Sequence, residues 1–70
     1  MISQHIKVFA NICLEERRQI DSSNLYEFIE KEVRLPITYG EVVNALKEMC
    51  NEGLLETVIE TEEFIQCAKK

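Results

Sequence analysis

The sequence predicts a mainly α domain closed by a small β hairpin, an α+β fold with three helices, and three observations carry that prediction. Thr38 followed three residues later by Glu41 is a capping box: the hydroxyl takes one free amide of the first turn and the carboxylate reaches back for another. Apolar residues then recur at Val42, Ala45, Leu46, Met49 and Cys50, the stripe of one helical face. Gly53 follows where a left-handed residue closes a last turn, and after it the rhythm changes to a strand-like run, Leu54-Leu55-Glu56-Thr57-Val58-Ile59.

The other elements follow in order. A first helix is expected over about residues 3–17, with Ile2, Ile6, Phe9, Ala10 and Cys13 as its buried stripe. Val8, Ile12 and Leu14 widen the stripe, which implies a helix covered on more than one side. Glu15, Glu16, Arg17 and Arg18 end it, the basic pair lying near the negative end of the helix dipole. Ile20, alone between Gln19 and Asp21, reads as a very short strand pairing with the hairpin. Asp21, Ser22 or Ser23 then caps a second helix whose core positions are Leu25, Phe28, Ile29 and Val33, with Tyr26 at the edge. Leu35-Pro36-Ile37 ends it, because a residue before proline disfavours the helical region. The hairpin pairs residues 54–59 with 63–68 across Glu60-Thr61-Glu62, turning Leu55, Phe64 and one of Val58 or Ile59 inward. Helix, short strand, helix, helix, hairpin is the order of a winged helix-turn-helix, here one domain over residues 1–70.

Composition agrees with a small folded domain. Of 70 residues, 46% are hydrophobic and 30% charged, a balance unlike that of a disordered tail. Two Gly and one Pro leave no linker-like stretch. No run approaches the roughly 18 to 20 apolar residues of a bilayer span, and Lys7 interrupts an N-terminus without a basic leader. The expectation is an intracellular protein, nuclear rather than cytoplasmic, with no membrane partner. Cys13, Cys50 and Cys67 are odd in number and form no CxxC pair, so neither a disulfide framework nor a structural zinc site is expected. They read as reduced thiols used as small buried groups. No nucleophile elbow, metalloprotease helix, phosphate-binding loop or dinucleotide fingerprint is present, and His5 has no partner motif. The chain is therefore expected to be non-catalytic, with no cofactor and no metal.

The charge distribution points further than the net charge of −5. No basic residue lies between Lys47 and Lys69, while Glu48, Glu52, Glu56, Glu60, Glu62 and Glu63 do. A DNA-binding regulator would read a groove with the third helix, where Tyr39, Asn44 and Lys47 are the available contacts. Phosphate neutralisation supplies most affinity for nucleic acid, however, and an acidic wing opposes it. Lys7, Arg17, Arg18, Lys31 and Arg34 all belong to the first two helices, so DNA contact is expected to be weak or indirect. The alternative is a protein partner presenting a basic amphipathic helix, steered by charge and held by exposed apolar atoms, for which Val43, Leu54 and Ile65 are candidates. A structural subunit, with the wing or first helix buried in a larger complex, is a third reading.

The segment EVVNALKEMCNEGLLETVIETEEFIQC resembles the C-terminal winged helix of the middle subunit of replication protein A. The likeness lies in Asn51-Glu52-Gly53 closing the third helix, an aliphatic residue two positions on, Thr57 in the first wing strand, an acidic tip and Phe64 beginning the last strand. It covers about the last third of the chain; the first two helices match in pattern alone, and Glu56 stands where the family often has an aromatic. The resemblance implies a recruitment module that binds short, partly basic helical segments of replication and repair proteins along the wing and the end of the third helix. The positions it implies here are Glu52, Glu56, Thr57, Glu60, Glu62 and Glu63.

Overall fold

The structure, a computed structural model, describes residues 2–70, with side chains from residue 4 onward. It runs α1 (Ile2–Glu16), β1 (Gln19–Asp21), α2 (Ser22–Phe28), α3 (Tyr39–Asn51), β2 (Leu55–Glu60) and β3 (Ile65–Lys69). The strands form one antiparallel sheet in the order β1-β3-β2, so β1 and β2 are both edges. Three helices with a hairpin wing and a short strand between the first two is the winged-helix arrangement that the element order predicts.

One face of α1 carries Ile6, Ala10 and Leu14 into the core at four-residue spacing. Phe9 and Cys13 pack at its margin. Val8 and Ile12 do not widen the stripe as expected: they are 55% and 45% exposed. The reason is that α1 packs against α3, β1 and α2 along the stripe of Ile6, Ala10 and Leu14, which leaves Val8 and Ile12 beside that seam rather than in it. The expected role of Ile2 lies outside the described side chains.

Asp21 is the residue that caps α2: its carboxylate accepts from the Asn24 backbone N–H at 2.8 Å and from the Asn24 side-chain amide at 3.0 Å. Leu25 and Ile29 are buried, while Phe28 and Val33 are half-buried, Phe28 meeting the Phe9 ring at 6.3 Å. Beyond Phe28 the helix widens into a π-helical turn, Ile29–Val33. It closes with Arg34 N–H donating to the Ile29 carbonyl at 2.7 Å, Arg34 itself lying in the left-handed region at φ 61°. Leu35 cannot resume a helix before Pro36, and Ile37 N–H instead donates back to Leu35 at 2.9 Å in a tight turn about the proline.

The capping box of α3 is complete, with Glu41 N–H donating to Thr38 Oγ1 and Thr38 N–H donating to Glu41 Oε1. Val42, Val43, Ala45, Leu46 and Met49 are buried, so Val43 belongs to the core rather than to an exposed surface. At the other end Gly53 lies at φ 81°. Its N–H donates to Cys50 and the N–H of Leu54 to Met49, the paired bonds of a Schellman stop. Ile20, Leu55, Ile65 and Cys67 complete the core from the sheet.

One polar knot holds three elements together. Ser22, fully buried, shares a 2.7 Å hydrogen bond with the Tyr39 hydroxyl and accepts from Ile65 N–H at 3.2 Å. Tyr26 meets Tyr39 edge-on, ring centres 5.8 Å apart. Among the described residues no buried side-chain polar atom lacks a partner.

Candidate functional site

The wing departs from the simple alternation of a hairpin, and the departure decides which side chains are available. Leu55 pairs with Lys69, Glu56 with Ala68 and Thr57 with Cys67. Val58 is then an extra residue, a β-bulge, after which Ile59 pairs with Gln66 and Glu60 with Ile65. Residues paired across a ladder share a face. Since Ile65 and Cys67 are buried, Thr57 and Glu60 lie on the helix side, and Glu56 and Ile59 on the outer side. Without the bulge Ile59 would have turned toward the helices. The expectation that Val58 or Ile59 faces inward therefore fails: they are 46% and 48% exposed. Leu54, at 57%, joins them, whereas Ile65 is buried and offers nothing to a partner.

The hairpin turn sits slightly later than expected. Glu60 ends β2, and residues 61–64 make the turn, with Thr61 N–H donating to the Phe64 carbonyl at 2.7 Å. Phe64 precedes β3 and is half-buried. Glu62 and Glu63 thus stand side by side at the tip, both exposed.

The six candidate partner-binding residues divide into two groups. Glu52 lies 3.7 Å from the Lys7 ammonium of α1, which is 3.0 Å from Glu48. The hydrogen bond to Glu48 pushes Lys7 above the usual lysine range, and Glu52 adds to the effect. Glu60 is 4.0 Å from Lys47 of α3. These are solvent-exposed contacts of little strength, but they offset part of the acidity at the end of α3. Glu56, Glu62 and Glu63 make no ion pair among the described residues. Thr57 stands between the groups, exposed beside the bulge. The anionic handle predicted from sequence is thus narrower than six residues.

The residues proposed for DNA contact are dispersed in role. Tyr39 is committed to Ser22 and Tyr26, and Lys47 leans toward Glu60. Asn44 is exposed and opens onto a cleft of about 670 Å³ between the start of α3 and the wing tip. Its far wall is Thr61, Glu62, Glu63 and Phe64. A duplex phosphate entering that cleft would meet two carboxylates and no cation.

Two features have no counterpart in the sequence reading. A groove of about 480 Å³ runs between the C-terminal half of α1 and α2, floored by Ile12, Ile20, Leu25 and Phe28. Of the two exposed apolar residues on α1, Ile12 lines this groove and Val8 does not, so the apolar pattern of the helix gave no sign of it. The second is a close approach of two thiols, Cys50 Sγ to Cys67 Sγ, at 3.3 Å. Seventeen residues separate them in the chain, so spacing alone could not bring them together. No helix is long and apolar enough to cross a membrane among the described residues. Comparison of the chain with family models, with curated proteins and with solved structures finds no match.

Proposed function

We propose that this winged helix is a non-catalytic protein-interaction module that recruits partners in DNA replication or repair. It holds a basic amphipathic helix along the outer side of the wing and the end of α3. The observation that carries the reading is the state of β2: Leu55 is its one buried residue. Exposed Leu54, Val58 and Ile59 lie interleaved with the unpaired carboxylate of Glu56 and lead to Glu62 and Glu63 at the tip. Apolar side chains beside free anions suit a ligand with an apolar stripe and a cationic flank. Thr57 and Glu60, on the helix side of the wing, and Glu52, at the end of α3, border this strip rather than form it. Replication or repair as the setting, and the nucleus as its place, rest on the resemblance of residues 41–67 alone.

The test uses a synthetic helical peptide with a leucine stripe and lysines and arginines on either side, titrated by fluorescence anisotropy. Reversing Glu56, Glu62 and Glu63 to Lys should weaken binding at least tenfold and leave the thermal midpoint nearly unchanged, since all three are exposed. Equal binding by the reversed protein would refute the assignment. Duplex DNA is titrated in parallel: affinity that collapses with salt, and that depends on Asn44 and Lys47, would favour the DNA-binding regulator instead.

A further inference from the structure

We propose that Cys50 and Cys67 form a thiol–disulfide modification site, which takes a small-molecule disulfide and ends as a reversible bridge between the last turn of α3 and the central strand. The geometry supplies the argument. Cys50 leaves the helix on its sheet-facing side, Cys67 occupies the middle of β3, and their sulfurs are 3.3 Å apart. The two sulfurs are already in contact, on elements fixed by the Schellman stop and by the β-ladders on both sides of β3, so they are held together for a bond to form. Among the described residues no three metal-binding side chains cluster, so the pair is not part of a metal centre.

Burial assigns the two roles. Cys67 is fully buried, so an external disulfide cannot reach it, whereas Cys50 is half-exposed. The Cys50 thiolate attacks one sulfur of the small disulfide; a Cys50 mixed disulfide forms and one small thiolate leaves, taking up a proton. Cys67 then loses its proton and attacks Cys50 Sγ, breaking the mixed disulfide and releasing the second small thiol. The two protein thiols are oxidised by two electrons, and the small disulfide is reduced to two thiols. Burial pushes the Cys67 thiol up to about 12, so the second step is the slow one at neutral pH and quickens as pH rises. Cys13 takes no part: it lies at the α1–α2 groove, away from both. The bridge would clamp the point from which Glu52, Gly53 and Leu54 depart toward the wing, although the inference stands without any role for that surface.

The experiment incubates the full chain with oxidised glutathione at pH 8 and follows it by mass spectrometry and peptide mapping. The expected product has lost two hydrogens and carries a Cys50–Cys67 cross-linked peptide, with Cys13 still free. Its thermal midpoint should rise by on the order of 10 °C and return when dithiothreitol is added. Cys67→Ala should stop at the Cys50 mixed disulfide, and Cys50→Ala should leave Cys67 unmodified. Wild-type protein that stays reduced, stalls as the mixed disulfide, or bridges through Cys13 would overturn the assignment, whichever variants fold.

Discussion

The sheet has two edges, and they are built to opposite ends. β1 is three residues long, buries Ile20, and spends its polar groups internally: Asp21 caps α2, and Gln19 accepts from the Gln66 side-chain amide at 2.9 Å. It sits against both α1 and α2, and little of it is left to offer a partner. β2 is twice as long and buries only Leu55. Natural proteins guard such edges with bulges and charges, and β2 has both, in Val58 and in its glutamates. Those guards are selective. A second copy of the chain would bring like charge to like charge, while a cationic segment would meet complementary charge and exposed Val58 and Ile59. One edge is closed into the fold, and the other is left open, which is what the proposed recognition of a cationic segment requires.

The largest expected effect comes from breaking the closed edge. Ile20 lies directly opposite Cys67 in the ladder and is buried between α1, α2 and the sheet. Ile20→Ala should cost about 2–5 kcal/mol of stability, measured by urea unfolding, because a cavity opens where no neighbour can move in. A cost below about 1 kcal/mol would mean that β1 is as loosely held as β2, and the contrast between the edges would fail.

The contrast was only half visible in the sequence. Thr38, Glu41 and Gly53 mark α3 plainly because caps and stops act within a few residues, and a helix end is a local problem. Asp21 was one of three possible caps for the same reason. The bulge at Val58 was not legible: nothing in Thr57-Val58-Ile59 distinguishes an extra residue from an ordinary strand, and the choice is made by pairing with β3. The π-helical turn over Ile29–Val33 is similar, since it is settled by where Arg34 must bond before Pro36. The acidic character of the wing could be read from composition. Which carboxylates remain unpaired could not, because Lys7 reaches Glu48 and Glu52 only across the α1–α3 packing.

Between the two edges, Cys67 tests how dry the middle of the sheet is. Its thiol titrates near 9 in an unfolded chain and is pushed up to about 12 here, first by burial and then by the neighbouring Cys50 sulfur. Below pH 9 both states are protonated, and this contribution to stability is complete. Above it the unfolded chain releases a proton that the folded one keeps, so stability falls as pH rises toward 12. The loss should reach on the order of 1 kcal/mol by pH 10, read from urea midpoints of the reduced protein at pH 8 and pH 10. Cys67→Ala should remove that component of the slope. Cys13, raised by burial, and Tyr26, raised by its hydrogen bond to Glu30, act in the same direction, as does Lys7, raised by its hydrogen bond to Glu48, so it is the comparison with the variant that isolates the Cys67 thiol. An unchanged slope in the variant would mean that water reaches the centre of β3.

The smallest stability effect should come from the open edge. Ile59 projects outward beside Gln66 and is about half exposed, so Ile59→Ala removes few contacts and should shift stability by no more than about 0.5 kcal/mol. Its effect on binding the basic helical peptide should be larger, about 1 kcal/mol or a fivefold loss, since an apolar side chain central to a contact contributes mostly when it is covered. The two measurements together separate packing from recognition. If Ile59→Ala destabilises the fold as much as Ile20→Ala does, β2 is buried in solution by something that the isolated chain supplies itself. If it changes neither stability nor binding, the apolar strip is not where the partner sits, and the charged tip at Glu62 and Glu63 would have to carry the contact alone.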